Sequence, residues 1–477
     1  MRWLYLLLVF CILRVLLGIS QAEDWPTYRH DNRRSGVTQE KPDLPLNLAW
    51  VRKSSVAPMM AWSGPAKWDA YSGNKDLQSM RNFDPAFFVT SVKGAVFFGS
   101  SIDNAVHCLD SKTGKERWVS FAGGAVRLPP AIDSGRVYFG SDDGYAYCVG
   151  SNDGKPIWKF RPAQSDRLIP SNGKLISPWP VRSGVMLSGK KAYFAASLLP
   201  WEKSYLCALD KDNGKPIYIS ENANMTLQGA LLGSTTTVYA PQGRSMPLLF
   251  NATNGKAIKG VGGMGGTFCL LTEDELLVGM PANQKSSGNV IQIGDPSGGQ
   301  AMLKFAGADR LLVVGEMAYI HQGRFLQSLN RIEYARLQKR TSDLGAQLKA
   351  LKANDNKLRK ERKAMVAQKK QPGVKGVDEK IVQVGGAIKD IEGQINSSRQ
   401  SLGKCFGWET SCPAPYELIF AGGVLFVGAK GKVMAFDAES GKEKWSGDVD
   451  GHAYGLVYSD GRLYVSTSLG HIYCFSG

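Results

Sequence analysis

Residues 94–118, GAVFFGSSIDNAVHCLDSKTGKERW, run through a short apolar strand, a polar turn, a second strand, an aspartate, a glycine-bearing turn and a tryptophan. Residues 135–158, GRVYFGSDDGYAYCVGSNDGKPIW, repeat the pattern. One interval holds it together: Asp110 precedes Trp118 by eight, Gly150 precedes Trp158 by eight and Asp210 precedes Tyr218 by eight. Asn251 to Lys259 and Asp295 to Leu303 keep the interval without the aromatic, and Asp437 to Trp445 restores it. Short strands recurring about every forty residues are the signature of a β-propeller, each repeat being one blade.

The stretch FLQSLNRIEYARLQKRTSDL (325–344) breaks the rhythm. Asn330 stands where Asp110 and Asp437 stand, yet the next tryptophan, Trp408, follows 78 residues later instead of eight. The excess predicts an insertion into one turn of the sixth blade. Within it, Leu337, Leu344, Leu351, Leu358 and Met365 recur every seventh residue, QPGVKG (371–376) reads as a helix break, and Ile381, Val384, Ile388, Ile391, Ile395 and Leu402 form a three-four seam. Two seamed helices around a Pro/Gly turn predict an antiparallel coiled-coil hairpin over residues 331–404.

The ends of the chain complete the ring. LNLAWVRK (46–53) is a lone strand, and the terminal GRLYVSTSLGHIYCFSG stops before its tryptophan strand. The first strand is expected to finish the last blade, because an open ring leaves two sheet edges unpaired. The expected fold is therefore all-β: an eight-bladed β-propeller of four-stranded antiparallel blades (23–330 and 405–477) with an inserted helical hairpin. Closing strands fall near residues 50, 118, 158, 218, 259, 303, 408 and 445, with seven blades as the alternative count. The recurring Trp50, Trp118, Trp158, Trp408 and Trp445 read as packing between blades rather than as ligand-stacking residues.

Residues 1–22, MRWLYLLLVFCILRVLLGISQA, read as a cleaved secretory signal, with an uncleaved anchor as the alternative. Phe10 ahead of Cys11 does not support a lipidated cysteine. The formal charge of +16 is concentrated: residues 331–404 hold 18 Lys/Arg against 8 Asp/Glu. The cluster KLRKERKAMVAQKK (357–370) makes Lys357, Arg359, Lys360, Arg362 and Lys363 candidates for contact with an acidic protein face or an anionic envelope surface. An ordinary solvated hairpin is the competing reading. Without interleaved stacking aromatics, and in an exported chain, nucleic acid is not expected as a partner. The segment 54–85 carries Met59, Met60, Trp62 and Trp68 outside any repeat unit. It reads either as a second contact surface or as a cover or plug of the central channel.

Seven cysteines follow the signal. Cys405 and Cys412 flank Trp408 and could form a disulfide clipping the exit of the insertion. Cys108, Cys148 and Cys474, at equivalent repeat positions, are expected to be buried thiols. There is no CxxCH, CxxC, HxH, HExxH or GxSxG, and GVGGMGG (260–266) lacks the GK[ST] ending of a phosphate loop. No catalytic residue or metal ligand is assigned.

The unit Leu109, Asp110, Thr113, Gly114, Lys115, Trp118, with its counterpart Phe436, Asp437, Ser440, Gly441, Trp445, resembles the repeat of the PQQ-binding-like β-propellers. DWPTYRHDNRRSGVT (24–38) resembles the opening segment of exported bacterial members. The resemblance implies one of two roles. Quinoprotein alcohol dehydrogenases hold pyrroloquinoline quinone and calcium in such a ring, with a disulfide between adjacent cysteines, and this chain has no two adjacent cysteines. BamB-like outer-membrane assembly factors are non-catalytic periplasmic scaffolds. The reading adopted is a non-catalytic exported scaffold of the cell envelope with the hairpin as contact arm and no cofactor, self-association through the hairpin being open. The alternative is a PQQ- and calcium-dependent alcohol dehydrogenase-like quinoprotein.

Overall fold

The computed structural model describes residues 22–61, 83–242, 245–260, 265–280, 290–297, 301–368, 371–413 and 415–477. Trp62 and Trp68, nearly all of the signal segment and most of GVGGMGG lie outside them. Contacts divide the chain into two compact units. One comprises Met1–Gly315, Ile320–Leu326 and Thr410–Gly477; the other comprises Glu316–Tyr319 and Gln327–Glu409.

The strands form eight four-stranded antiparallel blades, an eight-bladed propeller with a helical insertion. Six blades are consecutive meanders, from Val89–Phe121 to Ala308–Ser411. The long strand Glu443–Ser459 ends the seventh blade and begins the eighth. Asn47–Arg52 pairs antiparallel with Ile472–Ser476, so the first strand closes the ring as expected.

Four of the repeat tryptophans lock one blade to the next. The Trp50 indole N–H donates to the Ser111 carbonyl, that of Trp118 to Ser151 and that of Trp158 to Lys211, each at 3.0 Å, while Trp445 donates to Leu46 at 2.8 Å. The rings of Trp50, Trp118 and Trp158 lie on turn glycines. A β-carbon on Gly114 would come within 2.6 Å of Trp50, and one on Gly154 within 2.6 Å of Trp118. Both glycines have positive φ, so the turn needs glycine for its backbone as well as for this contact. Opposite the tryptophans across the sheet, Cys108, Cys148 and Cys474 pair with Trp118, Trp158 and Trp50. Burial raises these thiols to about 12, which leaves them unreactive.

The repeat turn also explains the insertion. In an ordinary blade the aspartate carboxylate accepts the amide three residues on, as Asp110 does from Thr113 at 2.9 Å and Asp437 from Ser440 at 2.8 Å. At the sixth blade the Asn330 side chain accepts from Glu333 at 3.0 Å, and the same bond is now a helix N-cap. The turn's backbone bond survives as well. Asp110 N–H to the Lys115 carbonyl (2.8 Å) becomes Asn330 N–H to the Cys405 carbonyl (2.9 Å). Cys405 thus takes the place of a turn lysine, and Trp408 follows it at the usual distance.

Between them run α1 (Arg331–Ala367) and α2 (Gln371–Gly403). Leu337, Leu344 and Leu358 are buried on α1, and Ile395 on α2. Two sequence expectations are corrected. The segment QPGVKG does not break the helix: α2 begins at Gln371, because a proline in a first helical turn lacks only an amide that had no partner there. Cys405 and Cys412 are both free thiols. They sit at opposite ends of the strand Phe406–Ser411, and seven residues at ~3.3 Å each hold them some 20 Å apart, well beyond disulfide reach.

Gly154→Ala should destabilise the protein by about 2–4 kcal/mol in denaturant unfolding, through positive φ and overlap with the indole. Trp118→Phe, which removes only the N–H bond to Ser151 and some ring area, should cost about 1–2 kcal/mol.

Candidate functional site

In each meander the first strand is the innermost, and the segment 24–40 runs across these inner strands in ring order. Trp25 exchanges backbone bonds with Ser91 (2.7 and 3.0 Å), and the Pro26 carbonyl accepts from Ile132 (2.8 Å). The Asn32 amide donates to the Leu187 carbonyl (2.5 Å), while its own carbonyl accepts from Gly233 (2.9 Å). Arg33 and Gly36 carbonyls then accept from Leu271 (2.8 Å) and Phe420 (2.9 Å), and the Glu40 carboxylate accepts from Asp460 and Gly461. DWPTYRHDNRRSGVT is therefore an axial plug built from the chain's own backbone. Buried Arg34 binds the carbonyls of Leu231, Tyr28 and Asp31 and the Thr27 hydroxyl, with burial lowering it to about 10. Arg29 pairs with the buried Glu417.

From the other end, where the inner strands begin, the segment following Asn47–Arg52 folds inward. Ala61 donates its amide to Asp84 (2.9 Å), and Ala61 and Phe83 pack with Leu128, Ala230 and Tyr28 of the plug. Met59 is 37% exposed and Met60 is half-buried.

A buried ion network lies here that sequence reasoning missed. Asp142 accepts from Arg182 Nε (2.7 Å) and Arg127 Nε (2.8 Å), and Arg127 also binds Asp84 (2.6 Å) and the Met59 carbonyl (2.8 Å). All four charged groups are at most 4% exposed. Burial alone would raise Asp142, but Arg182 and Arg127 outweigh it and hold the carboxyl down to about 2. At Asp84 burial wins over Arg127, and the carboxyl stays above its ordinary value. A signal was present in the chain: Arg127, Arg182 and Gln228 each stand four residues before an inner strand. Without knowledge of which strand lies on the axis, that offset carried no meaning.

The candidate arm residues Lys357, Arg359, Lys360, Arg362 and Lys363 all lie exposed on α1. Two are engaged: Arg359 with Asp355 (2.6 Å) and Arg362 with Asp378 of α2. Lys357, Lys360 and Lys363 have no carboxylate partner among the described residues. Lys352 and Glu392 pair across the two helices at 2.7 Å.

Comparison with known proteins matches residues 52–218, 103–260 and 398–477 to the family described as outer membrane protein assembly factor BamB. The chain belongs to that family. No curated protein matches it significantly. Among solved structures it resembles the quinohemoprotein alcohol dehydrogenase ADHIIG of Pseudomonas putida HK5, with TM-score 0.56, 10% identity and 95% and 80% of the two chains covered. It also resembles a europium-containing methanol dehydrogenase (0.55, 10%, 95% and 98%) and the computationally designed Ika8 protein (0.52, 10%, 83% and 97%). At such identities the likeness is one of fold.

The dehydrogenase fold raises the question of pyrroloquinoline quinone, a tricarboxylate that needs cationic groups facing a cavity. Arg127 and Arg182 face internal carboxylates, and the axial space beside them holds Phe83, Leu128 and Tyr28. A cavity of about 450 Å³ at the plug is lined by Glu23, Asp24, Asp31 and Asp133 against His30 and one lysine, Lys211, which is itself paired with Asp133, so the excess is negative, the wrong sign for such a ligand. Among the described residues no group of three or more His, Cys, Asp or Glu is placed to hold a metal ion. The residues described do not fit the quinone.

Removing Asp142 would leave two buried arginines short of a counter-charge. Asp142→Ala should cost about 3–5 kcal/mol in denaturant unfolding. Because the Asp142 carboxyl is depressed, its stabilisation is complete above about pH 4 and disappears as pH falls through about 2. Asp142→Asn should therefore flatten the acid limb of the stability curve in that window.

Proposed function

We propose that the chain is a non-catalytic scaffold, exported to the bacterial cell envelope, whose hairpin contacts an acidic face of an envelope protein. The observation that carries the reading is the contrast between the axis and the arm. On the axis, where propeller enzymes would need an open polar site, the arginines are neutralised internally and the space is filled by the chain's own side chains. On α1, Lys357, Lys360 and Lys363 present charge to solvent without an internal partner among the described residues. Family membership supports a scaffold role, and no helix among the described residues is long and apolar enough to cross a membrane. Residues 1–22 supply the export signal in this reading.

The test replaces the three lysines by glutamine and compares recovery of envelope proteins with that of the unaltered chain. Loss of a defined partner, restored by arginine at the same positions, is the expected result. Unchanged recovery would remove the arm from the interface. Loss of binding to anionic vesicles alone would reassign it to a lipid surface, and a change only in sedimentation would reassign it to self-association. Calorimetric titration with pyrroloquinoline quinone and calcium should show no binding; one-to-one micromolar binding would restore the dehydrogenase reading.

A further inference from the structure

Four-stranded meanders place the joins between second and third strands, and the crossings from one blade to the next, on the face where the inner strands begin. Over the first three blades this face carries more than connections. The crossing from the second to the third blade holds an extra hairpin, Ile169–Ser171 paired with Lys174–Ile176, and the third blade has an extended join between Ala196 and Ser204. Four large apolar side chains stand out from it: Phe121 (71% exposed), Leu168 (52%), Leu175 (64%) and Trp201 (76%).

They belong to one surface, because the polar groups among them tie the segments together. The Asn104 carbonyl accepts from Ala122, next to Phe121, at 2.8 Å, and its side-chain oxygen accepts from Lys174, next to Leu175, at 2.7 Å. The Lys174 ammonium also reaches the Ser101 carbonyl, and Asn172 donates to the Met60 carbonyl at 2.5 Å. On the other side Arg167, next to Leu168, pairs with Glu202, next to Trp201. Two further charges nearby are paired, Arg161 with Asp166 and Lys203 with Glu221, each at 2.6 Å, whereas Lys174 is held by neutral oxygens. The polar groups are turned inward and the apolar side chains outward, the Lys174 ammonium being hydrogen-bonded to carbonyl oxygens beneath the surface.

We infer that this surface docks an uncharged, leucine- or phenylalanine-bearing extended segment of a partner polypeptide. The inference rests on the scaffold reading but concerns a site separate from the lysine arm. Two observations select this occupant. The four side chains expose on the order of 500 Å² of apolar area, more than half of the ~800 Å² per partner that a standard interface buries. The hairpin is only two-stranded, and while Pro170 leaves the Ile169–Ser171 edge without a donor at its centre, the Lys174–Ile176 edge offers the backbone N–H and C=O of Leu175 to an added strand, which a peptide can use and a lipid tail cannot. Arg161, Arg167 and Lys203 are spent on internal carboxylates and Lys174 on carbonyl oxygens, which favours a neutral segment over a charged one.

The test is a display selection of short random peptides on the mature chain, repeated on a variant carrying Phe121→Ser, Leu168→Ser, Leu175→Ser and Trp201→Ser. All four positions are exposed, so the variant should melt at the same temperature as the parent by circular dichroism. The expected result is enrichment of uncharged Leu- or Phe-containing peptides whose affinity falls at least about tenfold on the variant. Their affinity should be unchanged when Lys357, Lys360 and Lys363 become glutamine, which separates this site from the arm. Peptides binding parent and variant equally, or no enrichment at all, would overturn the inference. So would a variant whose only change is in self-association by sedimentation or in flotation with phosphatidylethanolamine–phosphatidylglycerol vesicles.

Discussion

The indole laid on a neighbouring turn is the contact on which the ring depends. Trp50, Trp118 and Trp158 each spend their one N–H on a carbonyl of the next blade's turn, as Trp118 does on Ser151, and their face on a glycine with positive φ, as on Gly154. A bulky apolar body with a polar handle can do both at once. The contact also explains why the aspartate, the glycine and the tryptophan recur together. The aspartate folds the turn, the glycine permits it, and the preceding blade's indole covers it. Where the aromatic is Tyr218, the arrangement keeps the ring on Gly255.

A ring of blades has an axis that must be filled or left open, and this chain fills it from both ends. The plug is held chiefly by its backbone, one inner strand after another, while Gly36 makes room for the Arg29 guanidinium that pairs with Glu417. Tyr28 of the plug meets Phe83 and Ala61 arriving from the other end. Buried arginines would be costly there without counter-charges, and Asp142 and Asp84 supply them. Among the described residues the same self-sufficiency leaves no unpaired cation on the axis for an anionic cofactor, and the solvent-facing lysines lie on the hairpin.

The insertion shows how little a repeat must change to accept seventy extra residues. Asn330 keeps the side-chain bond three residues ahead that Asp110 makes, and the chain continues as a helix instead of turning back. When α2 ends, Cys405 restores the backbone bond that Lys115 makes in an ordinary turn. The N-cap preference of asparagine and aspartate and their turn preference are the same hydrogen bond in two settings, so the blade tolerates the excursion without losing a strand.

Blade count, closure by Trp50, the site of the insertion and its seam were legible along the chain because each depends on local spacing: the eight-residue interval, the seven-residue repeat, the unfinished final unit. The arm lysines were legible as a charge run, although pairing of Arg359 and Arg362 with Asp355 and Asp378 could not be read from it. The disulfide suggested by Cys405 and Cys412 failed for the opposite reason, since nearness in sequence becomes distance when the intervening residues form a strand. The meaning of DWPTYRHDNRRSGVT, the network joining Asp84, Arg127, Asp142 and Arg182, and the surface around Trp201 came only from the tertiary structure. Their contacts join residues tens to hundreds of positions apart, and closing the ring is what brings them together. Local hydrogen-bond and packing periodicity is written along a chain, whereas the pairing of buried charges across an axis is decided by which strands face it.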